Sequence, residues 1–149
     1  MPTTTTLPTR RAHSVPTHPA ARRHRREVAR WALTHGHPVD RDALAAIVAA
    51  RTARATGAVD LRWVDDDVER VLWYSLPEWC VEHQVRPLAD PATTLATYLR
   101  FLSAHRLLAP GSAGITALRR TVADHRSSVP RSRGRHPAAA RPAPVLPIS

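Results

Sequence analysis

Six prolines fall between residues 19 and 110 (Pro19, Pro38, Pro77, Pro87, Pro91 and Pro110), and most sit where a run of helical periodicity starts or stops. A proline cannot donate to a helix interior, but it suits a first turn. The apolar residues between these marks recur at i, i+3, i+4 and i+7, with no stretch of strand alternation. The chain is therefore expected to be all-α: a compact bundle of five to six short helices over residues 19–126, joined by Pro/Gly/Asp loops.

The first helix opens at Pro19, carries Val28, Trp31, Ala32 and His35 on one face, and stops at "GHP". The second takes Asp40 as its cap and runs to Gly57, with Leu44, Ile47 and Val48 in its stripe. Its alanines make it apolar nearly all round, which predicts packing on more than one side. The third begins at Asp65, Asp66 and Asp67, where a helix N-terminus favours negative charge, and buries Val68, Val71, Leu72 and Leu76. Pro77 is expected to break it and to start a separate short helix, "PEWCVEHQV". The fifth is capped by Asp90, starts at Pro91 and buries Leu95, Tyr98, Leu99 and Leu102. The last, from about Gly114 to Arg126, uses Ile115, Leu118 and Val122.

Outside these periods the chain reads as disordered: residues 1–18 are rich in Thr, Pro and Arg, and residues 127–149 in Pro, Arg and Ala. There is no lysine and no asparagine, so all 22 basic residues are arginine, as expected of a GC-rich bacterial coding sequence. Residues 1–30 hold seven arginines against Glu27, and residues 119–149 hold seven against Asp124. Between them eight arginines meet ten acids, so the net charge of +10 resides in the flanks. Any nucleic-acid contact is accordingly expected through the arms, at Arg22, Arg23, Arg25, Arg26, Arg131, Arg133 and Arg135, and not through the folded core.

The single cysteine excludes an internal disulfide and any zinc site built on paired cysteines. The longest apolar run, "ALAAIVAA", is too short to span a bilayer, and the N-terminal stretch has no hydrophobic signal region, so a cytoplasmic protein with no membrane contact is expected. Cys80 and His83 share a helix face, but no oxyanion loop or base-orienting partner accompanies them, so both read as core and core margin, not as a nucleophile pair. His35 and His37 lack a third ligand at metal spacing. Helices 1 and 2 have the outline of a helix-turn-helix, but the second would offer only Arg41, Arg51, Thr52 and Arg54 among alanines. No cofactor, metal or catalytic activity is expected.

Trp73 and Tyr74 fall opposite the buried stripe of helix 3, beside Arg70, which could pair with Asp66 at i, i+4. Large aromatics on an outer face would mark a partner surface, with another protein as the expected partner; the alternative is a central helix 3 buried on two sides. The leading reading is a non-enzymatic interaction module with cationic arms. The alternative is a nucleic-acid-associated accessory protein.

From Trp63 to His125, "WVDDDVERVL", "LPEWC", a following proline, "TYLRFL" and "LRRTV" resemble uncharacterised helical domains of actinobacterial proteins, some of which accompany a C-terminal SEC-C zinc motif. That motif is absent from this chain, so the resemblance implies a helical fold and nothing about zinc.

Overall fold

The computed structural model describes residues 18–129. Of the segments expected to be disordered, 1–18 and 127–149, residues 1–17 and 130–149 lie outside the described residues, as do Arg131, Arg133 and Arg135, while residues 127 and 128 belong to the last helix, which runs past the expected end at Arg126. Within them the chain is helical, as the punctuation predicts: α1 (Pro19–Thr34), α2 (Arg41–Ala50), α3 (Asp65–Arg70), a π-helical turn (Val71–Ser75), α4 (Leu76–Glu82), α5 (Pro91–Ala104) and α6 (Ile115–Ser128). The one extended pairing among them is an isolated antiparallel bridge between Thr52 and Val59.

Two helices form the centre. The apolar α2 packs against α1, α4, the π turn and α5, as its all-round alanines predict. α5 packs against α1, α2 and α6 and buries Leu95, Tyr98, Leu99 and Leu102 together with Ala92 and Phe101. It also buries two threonines, Thr94 and Thr97. Their hydroxyls hold the α1–α2 turn: the Asp40 amide donates to Thr94 Oγ1 at 2.9 Å, and Thr97 Oγ1 donates to the Pro38 carbonyl at 2.8 Å. Burying hydroxyls is tolerable because each is bonded. Asp40 and Asp90 cap α2 and α5 as expected, each accepting from the backbone amide three residues on, Ala43 and Thr93.

The second helix ends at Ala50, seven residues before the expected stop at Gly57. Residues 51–62 instead fold into a tight turn around Arg51. Its guanidinium donates to Asp67 Oδ1 and Asp60 Oδ2, both at 3.0 Å, and to the Arg62 carbonyl. It also lies 4.8 Å from the centroid of the Trp63 ring. Arg51 and Asp67 are nearly buried, with 11% and 13% of their side chains exposed. Asp67 in turn accepts from the Val64 amide at 3.0 Å, so it closes the start of α3 from the third helical position, with Val64 and not an aspartate as N-cap. Gly57 takes φ +70° under the His18 ring, where a Cβ would meet ring atoms at 2.4 Å.

α1, α4 and α5 end in the same way. Each terminates on a histidine, His35, His83 or His105, four residues after Trp31, Trp79 or Phe101. The histidine Nδ1 bonds the aromatic residue's carbonyl at 2.8, 2.9 and 3.0 Å respectively, and the two rings lie against each other at 4.7, 4.2 and 4.4 Å. The next residue is left-handed: Gly36, Gln84 and Arg106. The backbone then closes a Schellman turn, with His37, Val85 and Leu107 amides donating to Ala32, Cys80 and Leu102 carbonyls.

Two stability measurements check this account. Arg51→Ala leaves Asp67 without its partner in a nearly dry site and uncovers Trp63, and should cost about 3 kcal/mol in urea unfolding, the range for breaking a buried pair. Gln84→Gly and Arg106→Gly relieve a left-handed backbone, and each should raise stability by up to about 1 kcal/mol.

Candidate protein-interaction surface

Pro77 does not break the third helix. The backbone stays in the right-handed helical region through Arg70, Val71, Ser75 and Leu76, and helix continues from Asp65 to Glu82. The accommodation is the π turn: the Leu76 amide reaches back five residues to the Val71 carbonyl. A proline at 77 has no amide for the carbonyl four residues back and its ring would crowd that carbonyl, so widening the turn just ahead of it relieves the conflict without ending the helix. The expected separate short helix is thus the second half of a single bulged one.

The bulge carries the candidate surface. Val71 and Leu72 face inward, while Trp73 is 43% and Tyr74 71% exposed. Arg70 is exposed one turn before Tyr74, and Val81, further along the same helix, is 79% exposed. The sequence brings Arg70, Trp73 and Tyr74 to one face, as read from their spacing. The Asp66–Arg70 ion pair is not formed: the pairs among the described residues are Arg51–Asp60, Arg51–Asp67 and Arg126–Asp90. Asp66 and Arg70 instead line a groove of about 460 Å³ between α3 and α6, with Asp65, Glu69, Tyr74, Thr121 and Asp124. Thr121 Oγ1 donates to Asp65 Oδ1 at 2.9 Å and ties α6 to the start of α3 beside the groove.

One face of the Trp73 ring is covered by His125 of α6, centroid to centroid 4.4 Å and steeply inclined. His125 is buried, and its Nδ1 has no hydrogen-bond partner. Burial pushes its pKa down from the ordinary histidine value, against the opposing pull of Glu69. His24 on α1 is in a similar position. Its Nε2 is hydrogen-bonded to the Tyr98 hydroxyl at 2.9 Å, its ring packs edge-on against Tyr98 and Phe101, and burial lowers its pKa against the opposing charge of Glu27. Neither histidine was marked by sequence reasoning. The one signal in the sequence was His125 at i+3 from Val122 on the buried stripe of the last helix.

The other residues weighed from sequence take structural places. Cys80 is a buried free thiol, and His83 turns away from it to stack on Trp79. His35 and His37 lie at 4.7 and 5.1 Å from the Trp31 ring. Arg51, a would-be base reader on α2, is consumed in the turn that follows α2, and Thr52 lies beyond the helix. Arg22, Arg23, Arg25 and Arg26, counted with the basic arm, sit on α1, the helix expected to open at Pro19.

No protein-family model, curated protein or solved structure matches this chain. No helix among the described residues is long and apolar enough to cross a membrane.

His125, buried, and His24, partly buried, make stability depend on pH. In the unfolded chain they protonate near pH 6.5. In the folded chain they hold out to lower pH, so between the two values the unfolded state binds more protons. Stability should be full above about pH 6.5 and should decline as pH falls below it. The melting temperature should drop on acidification from about pH 7.5 to 5.5, and by less in His24→Gln.

Proposed function

We propose that the chain is a non-enzymatic helical interaction module that binds another protein through the face formed by Arg70, Trp73 and Tyr74. The observation that carries this reading is the exposure of two adjacent large aromatics, 43% and 71%, on a helix whose opposite face is core. Residues of this kind dominate binding energy when a partner desolvates them. The π turn gives them a fixed platform, since the residues on either side, Val71, Leu72 and Leu76, are locked in the core. The neighbouring groove, with Asp65, Asp66, Glu69 and Asp124 against Arg70, favours a partner that presents an apolar anchor flanked by basic side chains. The proposed role needs no cofactor and no catalytic group. Its proposed compartment is the cytoplasm, where a lone cysteine remains a thiol.

The test places a photo-crosslinking amino acid at position 74 in host cells and compares Trp73→Ala/Tyr74→Ala with the parent chain. Crosslinks to one defined protein, and loss of at least tenfold in affinity for it in the double variant, are the expected result. Tyr74→Ala alone should alter unfolding free energy by no more than about 0.5 kcal/mol, as an exposed position does. If the crosslinked protein binds the double variant with unchanged affinity, this face is not the interface.

A further inference from the structure

We infer that the outer face of α1 is a docking surface for the phosphate backbone of nucleic acid, built on Arg23, Arg26 and Arg30 with Arg22, Arg25 and Arg41 around them. The inference starts from where the fold begins. Residues 18–129 contain 16 of the 22 arginines and all 12 acids, so the described unit is itself net positive by four charges. Much of that excess lies on α1, which carries five arginines against the single acid Glu27. Arg22, Arg26 and Arg30 are spaced by four residues and Arg23 lies beside them, so they share one side of the helix, and Arg23, Arg26 and Arg30 are exposed. Ala21, Val28 and Ala32 take the opposite side into the core. None of the ion pairs among the described residues involves Arg23, Arg25, Arg26 or Arg30.

The arginines also crowd one another. Arg25 is partly buried with an unpartnered Nε, and its pKa is pushed down first by that burial and then by Arg22, Arg26 and Arg41. Arg41, the first residue of α2, therefore extends the positive field beyond α1. Arginine stays charged under such crowding, so relief comes from a bound anion and not from deprotonation.

Three classes of polyanion could supply it, and the surface favours one. A lipid bilayer takes an amphipathic helix by its apolar face, and the apolar face of α1 is already in the core against α2 and α5. A protein interface needs aromatic or aliphatic anchors among its charges, and the exposed arginine row offers only Leu33, at its end. A phosphate backbone needs neither. From Arg22 to Arg30 the helix axis advances about 12 Å. A duplex presents about seven phosphates over that length, counted round both strands, so several lie on the side that meets the helix. Contacts of this kind position a protein on nucleic acid without reading its sequence. This surface is separate from the Trp73–Tyr74 face, since α1 packs chiefly on α2 and α5 while the bulged helix packs on α2 and α6.

The experiment measures binding of the full chain to a labelled 20-base-pair DNA duplex and a labelled 20-nucleotide RNA strand by fluorescence anisotropy, across a salt series. Three proteins are compared: the parent, Arg23→Gln/Arg26→Gln/Arg30→Gln, and Arg131→Gln/Arg133→Gln/Arg135→Gln. The expected result is a weaker α1 variant whose slope of log affinity against log salt on the duplex is shallower by about 0.9 for each phosphate no longer neutralised. The tail variant should change less, and Trp73→Ala/Tyr74→Ala not at all. Duplex and single strand together show which form is preferred. Should the α1 variant melt early, Arg26→Gln and Arg30→Gln singly carry the same test, each lowering the slope by about 0.9. An α1 variant that binds with the parent's slope while the tail variant loses binding would overturn the inference. So would parent protein that binds phosphatidylserine vesicles more tightly than either nucleic acid in the same salt.

Discussion

Arg51 is the residue on which the rest of the arrangement depends. It ends α2, spans to Asp60 in the following turn and to Asp67 at the start of α3, and lies over the Trp63 ring. Trp63 is fully buried, packs edge-on against Tyr98 of α5, and has its backbone bonded to the 109–113 loop at Ser112 Oγ and the Ala113 amide. One guanidinium thus joins α2, the connection to α3 and the indole that meets α5 and the entry to α6. Guanidinium suits this place because it offers a planar fork of donors and a face that stacks on indole, which an ammonium cannot reproduce. The exposed arm of the network, Asp60, contributes little. The nearly dry Arg51–Asp67 contact contributes more, because either charge left alone there would lack solvation.

Most of the helical core was legible because burial follows the helical period. Leu44, Ile47 and Val48, then Val68, Val71, Leu72 and Leu76, then Leu95, Tyr98, Leu99 and Leu102 are all buried as their spacing implies. Helix ends were legible where one residue's own chemistry sets them: the capping carboxylates of Asp40 and Asp90, and the left-handed backbone that Gly36 permits. They were not where tertiary contact overrides propensity. "RTARA" continues the helical composition of α2, yet Arg51 and Thr52 turn back because a carboxylate far along the chain, Asp67, is there to receive the guanidinium. The recurring Trp-x-x-x-His and Phe-x-x-x-His endings were in plain view as "WALTH", "WCVEH" and "FLSAH". Their meaning needs the histidine ring to reach a backbone carbonyl, which residue spacing does not show.

The candidate surface was legible in its members and not in its cause. Residue type and period put Trp73 and Tyr74 opposite the core stripe. What holds them there is a proline four residues beyond Trp73 that forces a wider turn and leaves the helix whole. Had the helix stopped at Leu76, the aromatic pair would lie on a frayed end. Because it continues to Glu82 and anchors through Leu76 and Cys80, the pair lies mid-helix on a supported backbone. His125 beneath Trp73 adds a second constraint, because an unpaired buried nitrogen there disfavours protonation and keeps the site apolar.

Charge divides the molecule along the same lines as packing. Carboxylates gather on α3 and at the α6 groove, and arginines on α1, two regions joined chiefly through α2 and α5. Counting charge in blocks cut at residue 30 hid this, because the cut passes through the helix that Pro19 opens and assigns its arginines to an arm. With the boundary at residue 18, the helix rim is positive before any tail is added. A flexible arm must lose conformational freedom to hold its arginines against an anion, at about 1–2 kcal/mol per residue for backbone alone. On α1 that ordering has already occurred in folding, so the attraction of each exposed arginine for an anion is opposed by its own side-chain entropy and by desolvation, and not by the cost of ordering the backbone. Among the described residues, α1 therefore presents its exposed arginines already ordered for an anion, which is why the charge on this helix counts for more than its number alone.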